Sequence, residues 1–156
     1  MAEKKKRRWW LWSVLVIVAV LAILPIVLPE PESKPMDARA RQGRSDTFVK
    51  LQDGVVRIEW GGPADGPIVV LVHGMGSSSF VWEPIFHELI KAGFRVLRYD
   101  LYGRGYSDRP DTTYNQALYE RQLLGVLKAS KIRKAVSLVG LSMGGGIVGY
   151  VASRHP

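Results

Sequence analysis

The stretch Val136-Ser137-Leu138-Val139-Gly140-Leu141-Ser142-Met143-Gly144-Gly145-Gly146 joins an apolar run to a serine framed by glycines. Val136, Leu138, Val139 and Leu141 read as a short buried strand, and Ile147, Val148 and Val151 give the following segment an apolar helical face. Ser142 therefore sits at a strand-to-helix corner. The glycines have a steric reason to be there: a serine oxygen that must stand clear of its own backbone needs a tight turn, and side chains at Gly140 or Gly144 would crowd it. The corner is also an anion site, because the backbone N–H of Met143 and the first helical turn point at any negative charge forming beside Ser142. A plain Gly-Ser turn in any α/β domain is the rival reading, and the strand and helix on either side weigh against it.

A second constraint lies near the start of the chain of 156 residues. Trp9 to Leu28 carries no charge, and Ser13 is its single polar residue. At about 1.5 Å per residue such a helix matches the roughly 30 Å hydrocarbon thickness of a bilayer. A cleaved secretory signal is the main rival, since its apolar region runs to only about 7 to 15 residues. The faint cleavage pattern Ala38-Arg39-Ala40 lies too far beyond the run, so a transmembrane anchor is the expectation, ahead of a buried core helix. Lys4, Lys5, Lys6, Arg7 and Arg8 crowd the N-terminal flank, and Trp9, Trp10 and Trp12 sit where an interfacial belt belongs. The implied topology is single-pass, with a cytoplasmic N-terminus and everything after Leu28 on the extracytoplasmic side. Lys34, Arg39, Arg41 and Arg44 on the other flank oppose this bias, partly offset by Glu30, Glu32 and Asp37. Pro25 and Pro29 suit a helix that kinks or stops near there.

The net charge of +8 invites a nucleic-acid reading, but the flank before Trp9 holds five cations against Glu3 and so accounts for half of the excess. The remaining basic residues form no stripe interleaved with aromatics, and nucleic acid is not an expected partner. With no cysteine, disulfides, thiolate metal sites and thioester lipid anchors are excluded. The reading calls for no metal and no cofactor.

Residues 1–8 are then a basic cytoplasmic flank, 9–28 the anchor, 29–45 an exposed tether rich in proline and mixed charge, and 46–156 an α/β domain. Thr47 to Gln52 and Val55 to Trp60 read as strands joined by an Asp53-Gly54 hairpin. Ile68 to Val72 is a strand buried on both faces, ending in the small-residue loop His73-Gly74-Met75-Gly76-Ser77-Ser78-Ser79. In open α/β sheets ligands bind at that carboxyl edge. Phe80 to Ala92 is an amphipathic helix with Trp82, Phe86 and Ile90 on one face, stopped by Gly93. Phe94 to Tyr99 is a strand that delivers the loop from Asp100 to Pro110. Thr113, with Gln116 three positions on, has capping-box spacing, and Tyr114, Ala117, Leu118, Leu124 and Leu127 mark the expected buried face of the next helix. Alternating strands and helices imply a mostly parallel sheet with an antiparallel first hairpin.

These pieces resemble the α/β-hydrolase family, from Thr47 to the last residue. Three motifs stand in that family's order: His73-Gly74 after the third strand, the loop with Asp100, Gly103, Gly105 and Ser107 after the fourth, and Gly140-Leu141-Ser142-Met143-Gly144 after the fifth. The resemblance implies that Ser142 is the nucleophile and that the N–H groups of Met75 and Met143 form an oxyanion hole. Serine rather than aspartate at the corner points to ester, thioester or amide substrates and away from a carboxylate nucleophile. A small-molecule or lipid acyl ester is the implied substrate. A carbon–carbon bond hydrolase or an acyltransferase of the same fold is the alternative, and a non-catalytic membrane protein using the sheet for interaction is a reading from another class.

Other candidates have plainer readings. Asp100 is expected to order its own loop, His73 to be structural, His87 and His155 to be incidental, and Arg104 and Tyr106 to be surface residues. The family order places an acid and then a histidine after the serine, and neither stands at a matching position here. The expectation is an N-terminal portion of a longer hydrolase, inactive by itself, with the elbow strand on an open sheet edge.

Overall fold

The computed structural model describes residues 2–28 and 36–156, with side chains from Trp9 onward. The chain divides into two units, Met1–Pro35 and Met36–Pro156. In the first, helix α1 spans Ala2–Val27 with Pro25 in its last turn. Its Trp9–Val27 portion has a mean hydropathy of 2.7 and buries nothing against protein. The side chains of the basic flank, Pro29 and the first part of the expected tether lie outside the described residues.

The second unit is built on a sheet of five strands: β1 (Thr47–Lys50), β2 (Val55–Gly61), β3 (Ile68–Val72), β4 (Arg95–Tyr99) and β5 (Ser137–Gly140). Their order across the sheet is β1-β2-β4-β3-β5. β1, β2 and β4 pair antiparallel in turn, while β3 pairs parallel with both β4 and β5. The sheet is thus mixed: a parallel centre carries an antiparallel edge. All five residues of β3 are buried, as its continuous apolar run requires.

Period-2 alternation sends the strands' side chains to two cores. On one face Val56, Ile58, Val70, Val72, Leu97 and Tyr99 pack with Leu118, Leu123 and Val126 of α3 (Gln116–Ala129) and with Ile147 and Val151 of α4 (Met143–Arg154). On the other face Val69, Leu71 and Val96 pack with Trp82 and with Phe86 of α2 (Glu83–Lys91). Crossovers β3–α2–β4 and β4–α3–β5 bring the carboxyl ends of β3, β4 and β5 to one edge of the sheet.

Three local expectations are corrected. The first hairpin turns through four residues, with Lys50 opposite Val55 and Leu51 N–H donating to Gly54 O at 2.9 Å, so Asp53-Gly54 is only its second half. The segment before α2 is a 3₁₀ turn, Ser79–Trp82, and the α-helix begins at Glu83. The third helix starts at Gln116 and not at Thr113, because Asn115 is the cap that captures the Leu118 N–H at 3.0 Å. Its buried face is Leu118, Tyr119, Gln122, Leu123 and Val126, while Tyr114 and Ala117 are exposed.

Residues 36–45, expected as exposed tether, belong to the second unit and lie partly against the rest of it. Asp37 Oδ1 accepts the N–H groups of Arg39 and Ala40, forming a turn that presents Arg41. Arg41 donates to Tyr106 O at 2.9 Å and pairs with Asp108, and the Arg44 guanidinium lies 3.7 Å from the Tyr106 ring centre.

Candidate active site

The carboxyl edge of the sheet gathers three loops. The first is the corner at Ser142, between β5 and α4. Ser142 has φ 53° and ψ −119°, a left-handed backbone that a serine adopts only when its surroundings enforce it. Those surroundings are close-packed. A Cβ on Gly140 would stand 2.3 Å from Gly144 O, and one on Gly144 would stand 2.2 Å from Val72 O. The helix start is pressed onto the ends of β5 and β3, and Leu141 N–H donates to Val72 O at 3.0 Å. With the chain pinned on both sides, Ser142 faces outward and is exposed.

The second loop follows β3. Gly74 is buried, and a Cβ there would meet Ser142 Cβ at 3.2 Å, so the backbone of this loop runs directly beside the serine. Met75, the next residue, is 61% exposed. Among the described residues neither the Met75 N–H nor the Met143 N–H has a hydrogen-bond acceptor.

His73 is fully buried and uses both ring nitrogens. Leu101 N–H donates to Nε2 at 2.9 Å, so the proton sits on Nδ1, which donates to Gly74 O at 2.7 Å. Burial holds its pKa below the ordinary histidine value, aided by the nearby Arg104 charge and opposed by the Gly74 hydrogen bond and Asp100. This ring is neutral and fully engaged, and has no nitrogen left to take a proton from Ser142. The other histidines are engaged elsewhere, His87 with Glu83 and His155 with Glu120, each at the Nε2 atom.

The third loop follows β4, and Asp100 organises it. Its Oδ1 accepts Ser79 N–H at 2.8 Å and its Oδ2 accepts Tyr106 N–H at 2.9 Å, while its carbonyl accepts from Ser107 Oγ and Gln122 Nε2. Ser107 Oγ in turn accepts Arg57 N–H at 3.1 Å, tying the loop to β2. Gly105, at φ 51°, lies so close that a Cβ would be 2.1 Å from Asp100 Oδ2. Gly103 N–H donates to Asp108 O at 2.9 Å and closes the loop. Arg104, read from the sequence as a surface residue, donates from Nε to Met75 O and from Nη1 to Gly103 O. That link joins the second and third loops across 29 residues of chain, and nothing in local spacing announces it.

Beside these loops runs a ladder of charges. Arg57 donates to Asp46, Ser79 and Glu59, and Arg98 donates to Glu59 and pairs with Glu83. Burial works to raise the carboxyls of Asp46 and Glu59, but the arginine hydrogen bonds and charges outweigh it and hold both below the usual carboxylate range. The ladder is structural: it joins β2, β4 and α2 to Asp46, just before β1, and leaves only Arg98 Nη1 buried without a partner among its described groups. Among the described residues no cluster of histidines and carboxylates is placed to hold a metal ion.

The segment from β3 through α4, which holds all three loops, matches known proteins. The profile of the alpha/beta hydrolase fold family covers residues 67–156. The chain belongs to the α/β-hydrolase family. A 2-hydroxymuconate semialdehyde hydrolase from Pseudomonas sp. (strain CF600) is 40% identical over 92 residues, 56% of this chain and 32% of that protein. A bifunctional esterase/perhydrolase from Acinetobacter calcoaceticus is 33% identical over 111 residues, 70% of this chain and 40% of that protein. Among solved structures, the enol-lactonase from Burkholderia xenovorans LB400 superposes with a TM-score of 0.66 at 31% identity, covering 70% of this chain and 42% of that one. The chain spans from 26% to 40% of the length of curated relatives that it matches.

Proposed function

We propose that this α/β-hydrolase chain carries the nucleophile and the oxyanion hole of a serine hydrolase that cleaves an acyl ester. The observation that carries the reading is the Ser142 backbone at φ 53°, enforced by Gly140 and Gly144 and leaving the side chain exposed. Attack by Ser142 Oγ on an ester carbonyl forms a tetrahedral oxyanion, and the N–H groups of Met75 and Met143 are the donors assigned to it. Both are free of protein acceptors among the described residues, which leaves them available for that charge. The proton of Ser142 needs a base. The chain's three histidines are each hydrogen-bonded to another partner, so none of them is assigned that role.

Helix α1 is proposed to anchor the protein in a membrane through Trp9–Val27, with the basic flank in the cytoplasm and the hydrolase unit on the far side. This favours substrates met at a membrane surface, lipid esters among them. The named activities of the relatives support a second reading, cleavage of a carbon–carbon bond with the same serine, through the 2-hydroxymuconate semialdehyde hydrolase at 40% identity.

A fluorophosphonate probe tests the nucleophile. The full-length protein is expected to be labelled stoichiometrically and Ser142→Ala not at all, while equal labelling of both removes Ser142 from its role. Parallel assays with p-nitrophenyl butyrate and a vinylogous diketone distinguish ester from carbon–carbon cleavage.

A further inference from the structure

The loop after β3 contains the exposed Met75 and Gly76 and has no helix or strand of its own around them. Its amide geometry must therefore be held by contacts from outside. Two carbonyls flank the Cα of Met75, and each has a partner. Gly74 O accepts from His73 Nδ1 at 2.7 Å. In a trans peptide the N–H points opposite to the C=O, so anchoring Gly74 O also aims the Met75 N–H. The next carbonyl, Met75 O, accepts from Arg104 Nε. The two peptide planes that meet at Met75 are thereby both pinned, which fixes its φ and ψ together.

Arg104 is itself held. Its Nη1 donates to Gly103 O at 2.8 Å, which fixes the guanidinium plane, and its backbone N–H donates to Leu101 O at 3.0 Å. Ser107 N–H donates back to Arg104 O at 3.2 Å. A planar fork can serve Met75 O and Gly103 O at once, whereas a lysine ammonium on a flexible stem holds one carbonyl without fixing a plane.

We infer that Arg104 is a positioning residue that clamps the loop after β3 so that the Met75 amide keeps its aim at the oxyanion. This rests on the assignment of Met75 N–H as an oxyanion donor. Arg104 does not touch the reacting atoms; it acts through the main chain of Met75.

The test uses the full-length protein with Arg104→Gln, Arg104→Lys and Ser142→Ala, hydrolysis of p-nitrophenyl butyrate, and nitrogen-relaxation order parameters of the Met75 and Gly76 amides. Misaiming a donor lowers turnover more than substrate affinity, so Arg104→Gln is expected to lose about 10- to 100-fold in kcat with KM within about twofold. The order parameters of Met75 and Gly76 are expected to fall, and Arg104→Lys to recover part of both effects. Unchanged kcat, a loss confined to KM, or unchanged order parameters in Arg104→Gln overturns the inference. If wild type and Ser142→Ala hydrolyse the ester equally slowly, the proposed nucleophile falls; the order parameters then decide by themselves whether Arg104 clamps the loop. Should Arg104→Gln fail to fold, Arg104→Lys carries the same comparison, and wild-type kcat with wild-type order parameters in that variant counts against the fork.

Discussion

His73 and Asp100 are the two polar residues of this edge most easily mistaken for catalytic partners of Ser142, and the hydrogen bonds assign both to the backbone. Asp100 receives a main-chain N–H on each carboxylate oxygen. Asp100→Asn keeps one acceptor and turns an NH2 toward the other donor, leaving a buried pair unsatisfied. The expected cost is about 1–3 kcal/mol of unfolding free energy, read by urea denaturation in detergent. His73 adds a pH signature. Its folded pKa lies below its unfolded value, so its stabilising effect is complete above the unfolded pKa and declines as pH falls toward the folded one. Stability should begin to decline below about pH 6.5, the unfolded histidine value, before the carboxylates begin to titrate. Denaturation at several pH values checks this: His73→Asn, less stable at neutral pH, is expected to lack the decline between about pH 6.5 and 5. A wild-type protein equally stable at both ends of that window contradicts the assignment.

At the scale of elements, much of the sheet could be read from the residues, and the reasons are local. Ile68 to Val72 is continuously apolar because β3 has neighbours on both sides and helices on both faces. The Gly140 and Gly144 framing of Ser142 was legible because the clash it avoids lies within a few residues of chain. The start of α3 was misplaced for an equally local reason: Thr113 and Asn115 are both good caps, and only the fold shows which one meets a free N–H. The packing of residues 36–45 was not legible at all. Arg41 reaches its partners across 65 and 67 residues of chain, and a short segment of mixed charge gives no sign of such a contact. Its side chain is only 12% exposed, so the contact should matter. Arg41→Ala is expected to cost about 1–3 kcal/mol, since it leaves the partly buried Asp108 without its cation. Thermal unfolding of the two proteins in the same detergent measures it, and an unchanged midpoint would mean that the segment is only draped on the surface. Asp108 also accepts Val55 N–H at 2.6 Å, so the loss should spread to the first hairpin.

For the whole molecule, the question is what α1 does for the hydrolase unit, and here physical chemistry allows a sharp test. Trp9–Val27 exposes its apolar side chains and buries none against protein, a state that water penalises and hydrocarbon accepts. Five cations, Lys4 to Arg8, precede the apolar run and four, Lys34, Arg39, Arg41 and Arg44, follow it, so the count leans only slightly toward the proposed cytoplasmic N-terminus and labelling has to decide it. The chain contains no cysteine, so single introduced thiols report sidedness cleanly. Ser45 is exposed at the start of the hydrolase unit. In intact cells with a permeable outer layer, Ser45→Cys is expected to react with a membrane-impermeant maleimide, and Ala2→Cys only after lysis. Both variants should stay with the membrane through alkaline carbonate extraction. The reverse labelling pattern would place the hydrolase unit in the cytoplasm, and release by carbonate would mean that α1 is no anchor.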